Sequence, residues 1–539
     1  MRVRVVPWWA VLAAAFVAVV AAHASLLRLP YYWDEAGYYI PAAYDFFRTG
    51  SLIPYSTLSN AHPPLPSVYL AVCWKVFHFA PAVTRVAMCA VAALALTAVW
   101  RLALITTGKQ AVALATVLLT GIYPVFFAQS SLAHADLFAA AGTLWALTFF
   151  LEGRIWLAAI CFSLATLSKE TAIVTPLALA VWESWQIRRP RGERALKIGA
   201  LLVPAIPLVG WYVFHWRKTG FVFGNPEYLR YNATATLTPV RVLLALAHRT
   251  MHVTLHMNLF VPVVAMLACL LLPPVEEPGR RHTASPQFRE RIRPSDQAVF
   301  YVTIAANVVF FSVLGGALLT RYLLPLYPLV LLLCVNTFRR RLKEWTGLVA
   351  LSAAAFVAGL FINPPYRFAP EDNLEYATVV RLHEAAIAQI VAHMPETRVL
   401  TAWPATDELS KPELGYVTKP VPVVAIGNFS GAEIEKAAEM RDDYSAALVF
   451  STKYDPPRLW LGLGRWNEKF DERYFDFHRD MPPGLIARVL GGQVVWGEER
   501  KGQWVAVLQL SREPGPRQAS YPDVDWERAT SSATPLDSR

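Results

Sequence analysis

Apolar runs long enough to cross a bilayer recur through residues 1–362 and then stop. No other feature restricts the fold as much. A backbone in lipid must satisfy its own hydrogen bonds, which leaves helices and closed barrels. A helical crossing takes about 20 mainly apolar residues. At that length the runs fall near 6–27, 83–105, 110–128, 132–151, 154–168, 170–186, 196–216, 254–273, 297–315, 322–338 and 345–362. They predict a polytopic α-helical membrane domain of about eleven transmembrane helices over 1–362, with 154–168 and 170–186 open to being one broken helix.

Only 17% of the chain is charged, against about 25% in a soluble protein, and the deficit lies almost entirely in that region. Residues 363–511 have an ordinary globular composition and read as a soluble α/β domain. Helical periodicity over 374–394 precedes the strand-like runs RVLTA, PVPVVAI, AALVFST, QVVWG and WVAVLQL. The tail, 512–539, has Pro, Ser and charge without period and is expected to be disordered.

A net charge of +10 could suggest nucleic acid, but the bases cluster between apolar runs, at 188–197, 280–293 and 339–343 among others, as the positive-inside pattern requires. The pattern places the N-terminus in the cytoplasm of a cell (inner or plasma) membrane. The long loops 28–82 and 217–253 and the C-terminal domain then face the periplasm or exterior. The start, MRVR followed by an apolar run and Ala-His-Ala, has the outline of a signal peptide, yet the run is long enough to span and is read as a retained first helix. The five cysteines lie in or beside apolar stretches and give neither a disulfide framework nor zinc spacing.

The first outside loop has the most chemistry. Asp34 and Glu35 follow the first run directly, among Tyr31, Tyr32, Trp33, Tyr38 and Tyr39. A carboxylate at the membrane boundary is costly unless it serves a function; the plainer reading is an interfacial aromatic belt with an incidental acid pair. His62 opens a His-Pro-Pro-Leu before the next run, Asp136 sits in a short turn, Lys169 and Glu170 interrupt an apolar stretch, and Arg321 with Tyr322 opens a late run. Each alone also reads as a turn, a cap, a snorkelling base or a stop charge. In the orientation set by the loop charges, His62, Asp136, Lys169 and Arg321 all map to the outside face.

Asp34-Glu35, His62-Pro63-Pro64-Leu65 and Arg321-Tyr322-Leu323-Leu324-Pro325, in this order and on one face, resemble glycosyltransferase family 39, which groups protein O-mannosyltransferases with lipid A aminoarabinose transferases among the GT-C membrane glycosyltransferases. The resemblance covers about residues 1–345. The His-Pro-Pro-Leu resembles the mannosyltransferase form, where the aminoarabinose branch tends to have Lys-Pro-Pro. The C-terminal domain is unlike the MIR β-trefoil of eukaryotic mannosyltransferases, which counts against a protein acceptor.

The resemblance implies an inverting hexosyl or pentosyl transfer from a polyprenyl-phosphate-linked sugar to a hydroxyl of a lipid, protein or glycan outside the cell, with membrane lipids around it and no nucleic acid. It assigns the general base to Asp34, with Glu35 helping to position the site or an ion. Arg321 is the first choice for the phosphate, followed by Lys169 and His62. Asp136 would orient the acceptor or its loop, and Tyr322 would line the substrate site. No cofactor is implied beyond the donor. A divalent metal is a further alternative, with His62, His134, His248, His252 and His256 available, although the i, i+4 pair His252/His256 also suits an amphipathic interfacial helix. A transporter or lipid flippase accounts for the apolar runs equally well, but such proteins are usually built from paired repeats, and none is visible. An envelope scaffold would leave Asp34, Lys169 and Arg321 without a role.

Overall fold

The computed structural model describes residues 6–511 except 187–189, 225, 227, 228, 231, 232, 234–236, 278–286, 455, 457–462 and 476. The tail 512–539, Arg2, Arg4, Arg188, Arg189, Arg280 and Arg281 lie outside the described residues. The chain forms two compact units. One comprises Met1–Arg28, Tyr38–Asn363 and Glu371–Leu374; the other comprises Leu29–Gly37, Pro364–Pro370 and Glu375–Arg539.

The first unit is helical. Among the described residues, Pro81–Thr107, Arg191–Thr219 and Pro294–Val313 are long and apolar enough to cross a membrane. Pro239–Asn258 and Phe260–Leu270, bent by 99° at their junction, make a fourth if counted as one span. Other apolar stretches form shorter helices, such as Trp8–Ala22, Gln110–Ile122, Ala135–Leu151, Ile155–Ser168 and Thr346–Phe361. The expected 154–168 and 170–186 are helices Ile155–Ser168 and Val174–Ser184, broken by the 3₁₀ turn Glu170–Ile173. The expected loops are not irregular throughout: Ile40–Thr49 and Leu65–Phe77 lie within 28–82, and Pro239–Thr254 overlaps the end of 217–253.

Small residues let these helices pack closely. A Cβ added at Gly142 would stand 2.9 Å from the Ala165 Cβ and 3.1 Å from its backbone N, the close approach that small side chains allow between apolar helices. Ala135–Leu151 packs against both Ile155–Ser168 and Pro81–Thr107. Leu114, Leu118, Ile206, Val209, Val264 and Leu267 remain exposed. Such an apolar surface suits lipid better than water.

The second unit is built on a five-stranded sheet, ordered Val423–Ile426, Val399–Ala402, Ala446–Phe450, Gln503–Leu510, Gly492–Arg500. The first three strands are parallel and the last two pair antiparallel. Each of the five sequence runs named above supplies one strand. Ala446–Phe450, buried along its whole length, is the central strand, as expected of a continuous apolar run with neighbours on both sides. Helix Glu375–His393 packs on the two C-terminal strands through Leu382, Ala386, Ile387 and Ile390, one face at helical spacing.

Segment 29–37 belongs to this unit. Tyr31 N–H donates to Leu414 O, and the Tyr416 hydroxyl donates to Tyr31 O at 3.0 Å. Trp33 meets Trp403 edge to face at 5.2 Å. A side chain at Gly37 would collide with the Trp403 indole.

Candidate functional site

Four charged side chains meet in the interior of the helical unit. Asp136 lies in the first turn of helix Ala135–Leu151, where the helix dipole favours an acid. Lys169 directly follows helix Ile155–Ser168 with an extended backbone (φ −150°, ψ 126°). Since these helices are consecutive, joined by a short turn and packed together, the start of one and the end of the other lie at the same end of the pair. Lys169 Nζ donates to Asp136 Oδ1 at 2.6 Å. Arg321, in the 3₁₀ turn Thr320–Leu323, directs Nε to Asp136 Oδ2 at 3.3 Å and Nη1 to both oxygens of Glu371 at 2.6 and 2.5 Å. All four side chains are at most 6% exposed.

Aromatic and imidazole groups surround the cluster. Lys169 Nζ lies 4.0 Å from the centroid of the Tyr322 ring, and Tyr322 stacks on Phe311 at 5.4 Å, a cation–π arrangement that holds the ammonium without neutralising it. His62 Nδ1 meets Glu170 Oε2 at 2.8 Å. Tyr39 lies between His62 and His134, 5.9 and 5.6 Å from their rings. A small pocket opens beside Asp136 and Lys169, and Thr143, Thr175, Asn307 and Tyr322 also line it.

The turn carrying Arg321 is fixed from outside. Arg241 donates to the carbonyls of Gly315 and Gly316, and Arg249 to those of Phe311, Ala317 and Leu319. Both come from helix Pro239–Thr254, eight residues apart and so on one face. Gly315 (φ +109°) provides a backbone conformation that L side chains rarely adopt. On the other side Asp372 accepts from the Thr320 hydroxyl and pairs with His256 Nε2 at 2.9 Å.

The structure therefore joins Asp136, Lys169, Arg321 and Tyr322 directly, and reaches His62 through Glu170, the neighbour of Lys169. Asp34 and Glu35 lie in the second unit. There Glu35 is fully buried and accepts the Tyr32 N–H at 2.9 Å, while Asp34 is half-buried. Sequence reasoning missed Glu371, Asp372 and Arg249 as parts of the site, and named His134 only among the histidines available to a metal. The first acids after the last apolar run, in Pro370-Glu371-Asp372, form a pair like Asp34-Glu35 after the first and were the available signal. The acid facing His256 comes from 116 residues away. Among the described residues no three His, Cys, Asp or Glu side chains form a group that could hold a metal ion.

Comparisons with known proteins agree with this architecture. Residues 61–212 match the family model described as dolichyl-phosphate-mannose-protein mannosyltransferase. No curated protein sequence matches the chain. Among solved structures, ArnT from Cupriavidus metallidurans bound to undecaprenyl phosphate is similar over 95% of this chain and 99% of its own, with 16% identity and a TM-score of 0.54. The same protein in the apo state is similar over 93% and 97%, with 15% identity and a TM-score of 0.52. At such identities the likeness establishes the fold. The resemblance in sequence thus holds over 61–212, and the fold is shared with ArnT over nearly the whole chain.

Proposed function

We propose that the chain is a multi-pass membrane glycosyltransferase that moves a sugar from a polyprenyl-phosphate carrier to a hydroxyl of a lipid, protein or glycan acceptor on the non-cytoplasmic side. The observation that supports this best is the buried Lys169–Asp136–Arg321–Glu371 cluster beside a small pocket in a helical unit. Burying ions in such a unit costs several kcal/mol each before pairing (an order-of-magnitude figure), and a chain that keeps two cations there, even paired with its own acids, has groups suited to an anionic ligand. Arginine's planar fork grips two phosphate oxygens at once. The fold is shared with a protein crystallised with undecaprenyl phosphate.

In the reaction, the acceptor oxygen bonds to the anomeric carbon as the bond from that carbon to the phosphate oxygen breaks, inverting the centre and releasing polyprenyl phosphate. Arg321 and Lys169 stabilise the negative charge on the leaving phosphate, a preorganised electrostatic contribution. Asp34, which the family resemblance singles out, takes the hydroxyl proton. Glu35 holds the Tyr32 backbone beside it. Asp136 orients Lys169 and Arg321 by its two oxygens, and His62 with Tyr322 borders the substrate.

The test is transfer of label from radiolabelled polyprenyl-phosphate sugars in sealed vesicles of known orientation, which also reports the side of the acceptor. Asp34→Asn should lower transfer by roughly 10²–10⁴-fold, the usual contribution of a positioned base, without changing behaviour in detergent. Label that crosses the membrane but joins no acceptor would mean a transporter and end this reading.

A further inference from the structure

Carboxylates of this chain already occupy Arg321. Its Nη1 donates to both Glu371 oxygens at 2.6 and 2.5 Å, and its Nε faces Asp136 at 3.3 Å. Lys169 is committed to the other Asp136 oxygen. Two cations and two anions sum to zero formal charge. A sugar phosphodiester entering this cluster would add a negative charge to a set that is already balanced, and an uncompensated charge in such a place is costly. For a phosphate to bind at Arg321, one of the two acids has to give way.

The two acids are held differently. Asp136 is fixed in a helix and by Lys169 at 2.6 Å. Glu371 sits on the three-residue 3₁₀ turn Pro370–Asp372, with a longer side chain. The backbone of that turn is pinned on both sides. Gln129 Nε2 donates to Glu371 O at 3.3 Å, Asp372 meets Thr320 and His256, and Asn373 Nδ2 donates to Gly359 O and Asn363 Oδ1. The turn's backbone is thus held by contacts that do not involve the Glu371 carboxylate.

We infer that Glu371 is an exchangeable stand-in for the donor's phosphate, holding Arg321 in position and yielding it when a lipid-linked phosphate arrives. A carboxylate presents two oxygens to a guanidinium much as a phosphate presents its two non-bridging oxygens. Glu371 is thus a positioning residue, and it makes phosphate binding an exchange of one anion for another. This rests on the reading of Arg321 as the phosphate ligand.

The experiment compares Glu371→Gln with wild type in the purified full-length chain, using undecaprenyl phosphate as probe and inorganic phosphate as control. If Glu371 competes with the phosphate, the glutamine variant binds undecaprenyl phosphate more tightly, on the order of tenfold for one charged competitor removed. The donor KM falls by a similar factor, while kcat does not rise. Glu371→Asp keeps the charge but withdraws it by one methylene and should tighten binding to a lesser degree; it decides alone if the glutamine variant fails to fold.

Equal or weaker binding in variants that melt like wild type overturns the inference and leaves the proposed function standing. Wild type that neither binds undecaprenyl phosphate nor transfers sugar overturns both. An equal gain for inorganic phosphate overturns the assignment to a lipid headgroup.

Discussion

Replacing Lys169 by Met keeps the side chain's reach and removes its charge, leaving Asp136 buried and ion-paired with Arg321 at 3.3 Å. The distances bound the effect. At 2.6 Å for Lys169 and 3.3 Å for Arg321, with an effective dielectric of about 20, the gross attractions are roughly 6 and 5 kcal/mol. Asp136 therefore keeps a little under half of its stabilisation. Breaking a buried pair outright costs about 3–5 kcal/mol, so Lys169→Met should cost about 3 kcal/mol, near the lower end of that range. Removing both partners, Lys169→Met with Asp136→Leu, leaves no unpaired Asp136 carboxylate and should cost less than the two single changes added together, although Arg321 then keeps Glu371 alone. The assay is reversible unfolding of the full-length chain in mixed micelles, arranged as a double-mutant cycle. If the single costs simply add in the double variant, the two residues are not a coupled buried pair, and the electrostatic account of the cluster fails.

Two further predictions concern the scaffold. Gly142→Ala places a methyl 2.9 Å from the Ala165 Cβ and should cost about 1–3 kcal/mol of stability by forcing the helices apart; thermal melts should show Ala165→Gly in the same chain recovering part of it. In the second unit Asp480 accepts from the Thr452 N–H and hydroxyl. Burial pushes its carboxyl above the ordinary 3.8, with the Thr452 bonds opposing. The folded state therefore holds a proton that the unfolded chain has already released. The unit should lose stability as pH rises from near 4 through the raised value and change little above it. Hydrogen exchange in strand Ala446–Phe450 of the whole protein should follow this slope, and Asp480→Asn should flatten it; identical slopes in the two proteins would refute the assignment.

The strands of the second unit were legible because they are short, largely apolar and bounded by turn residues, whereas their order in the sheet came only with the fold. The helical unit was legible in kind but less so in its boundaries. Apolarity reports which segments avoid water without reporting where a helix breaks. Three devices in this chain break helices at positions hydropathy does not mark: the extended Lys169, the left-handed Met257 (φ 47°) at the 99° bend, and the Tyr123-Pro124 junction, where Tyr123 is extended and Pro124 opens a new helix.

The site divides along a different line. Asp136, Lys169 and Arg321 stood out because each is a charge inside or beside an apolar run, which is an energetic anomaly visible in one dimension. Glu371 was not an anomaly, because it follows the last apolar run in a segment of ordinary composition. What makes it matter is that its two oxygens lie 2.6 and 2.5 Å from a guanidinium 50 residues earlier, and only the fold supplies that. Buried charges tend to come in balanced sets, so two cations and one acid meeting in an apolar region leave one cation for another anion of the chain to match. The acids nearest the end of the last apolar run were the first place to look for it. Applied to Arg249, the same reasoning gives a different answer. It is a fully buried cation whose donors are taken up by the carbonyls of Phe311, Ala317 and Leu319, so its balance comes from backbone dipoles. The two arginines are therefore chemically distinct. Arg249 is committed to shaping the loop before Arg321, and Arg321, held by carboxylates that another anion can replace, is the cation that ligand exchange can release.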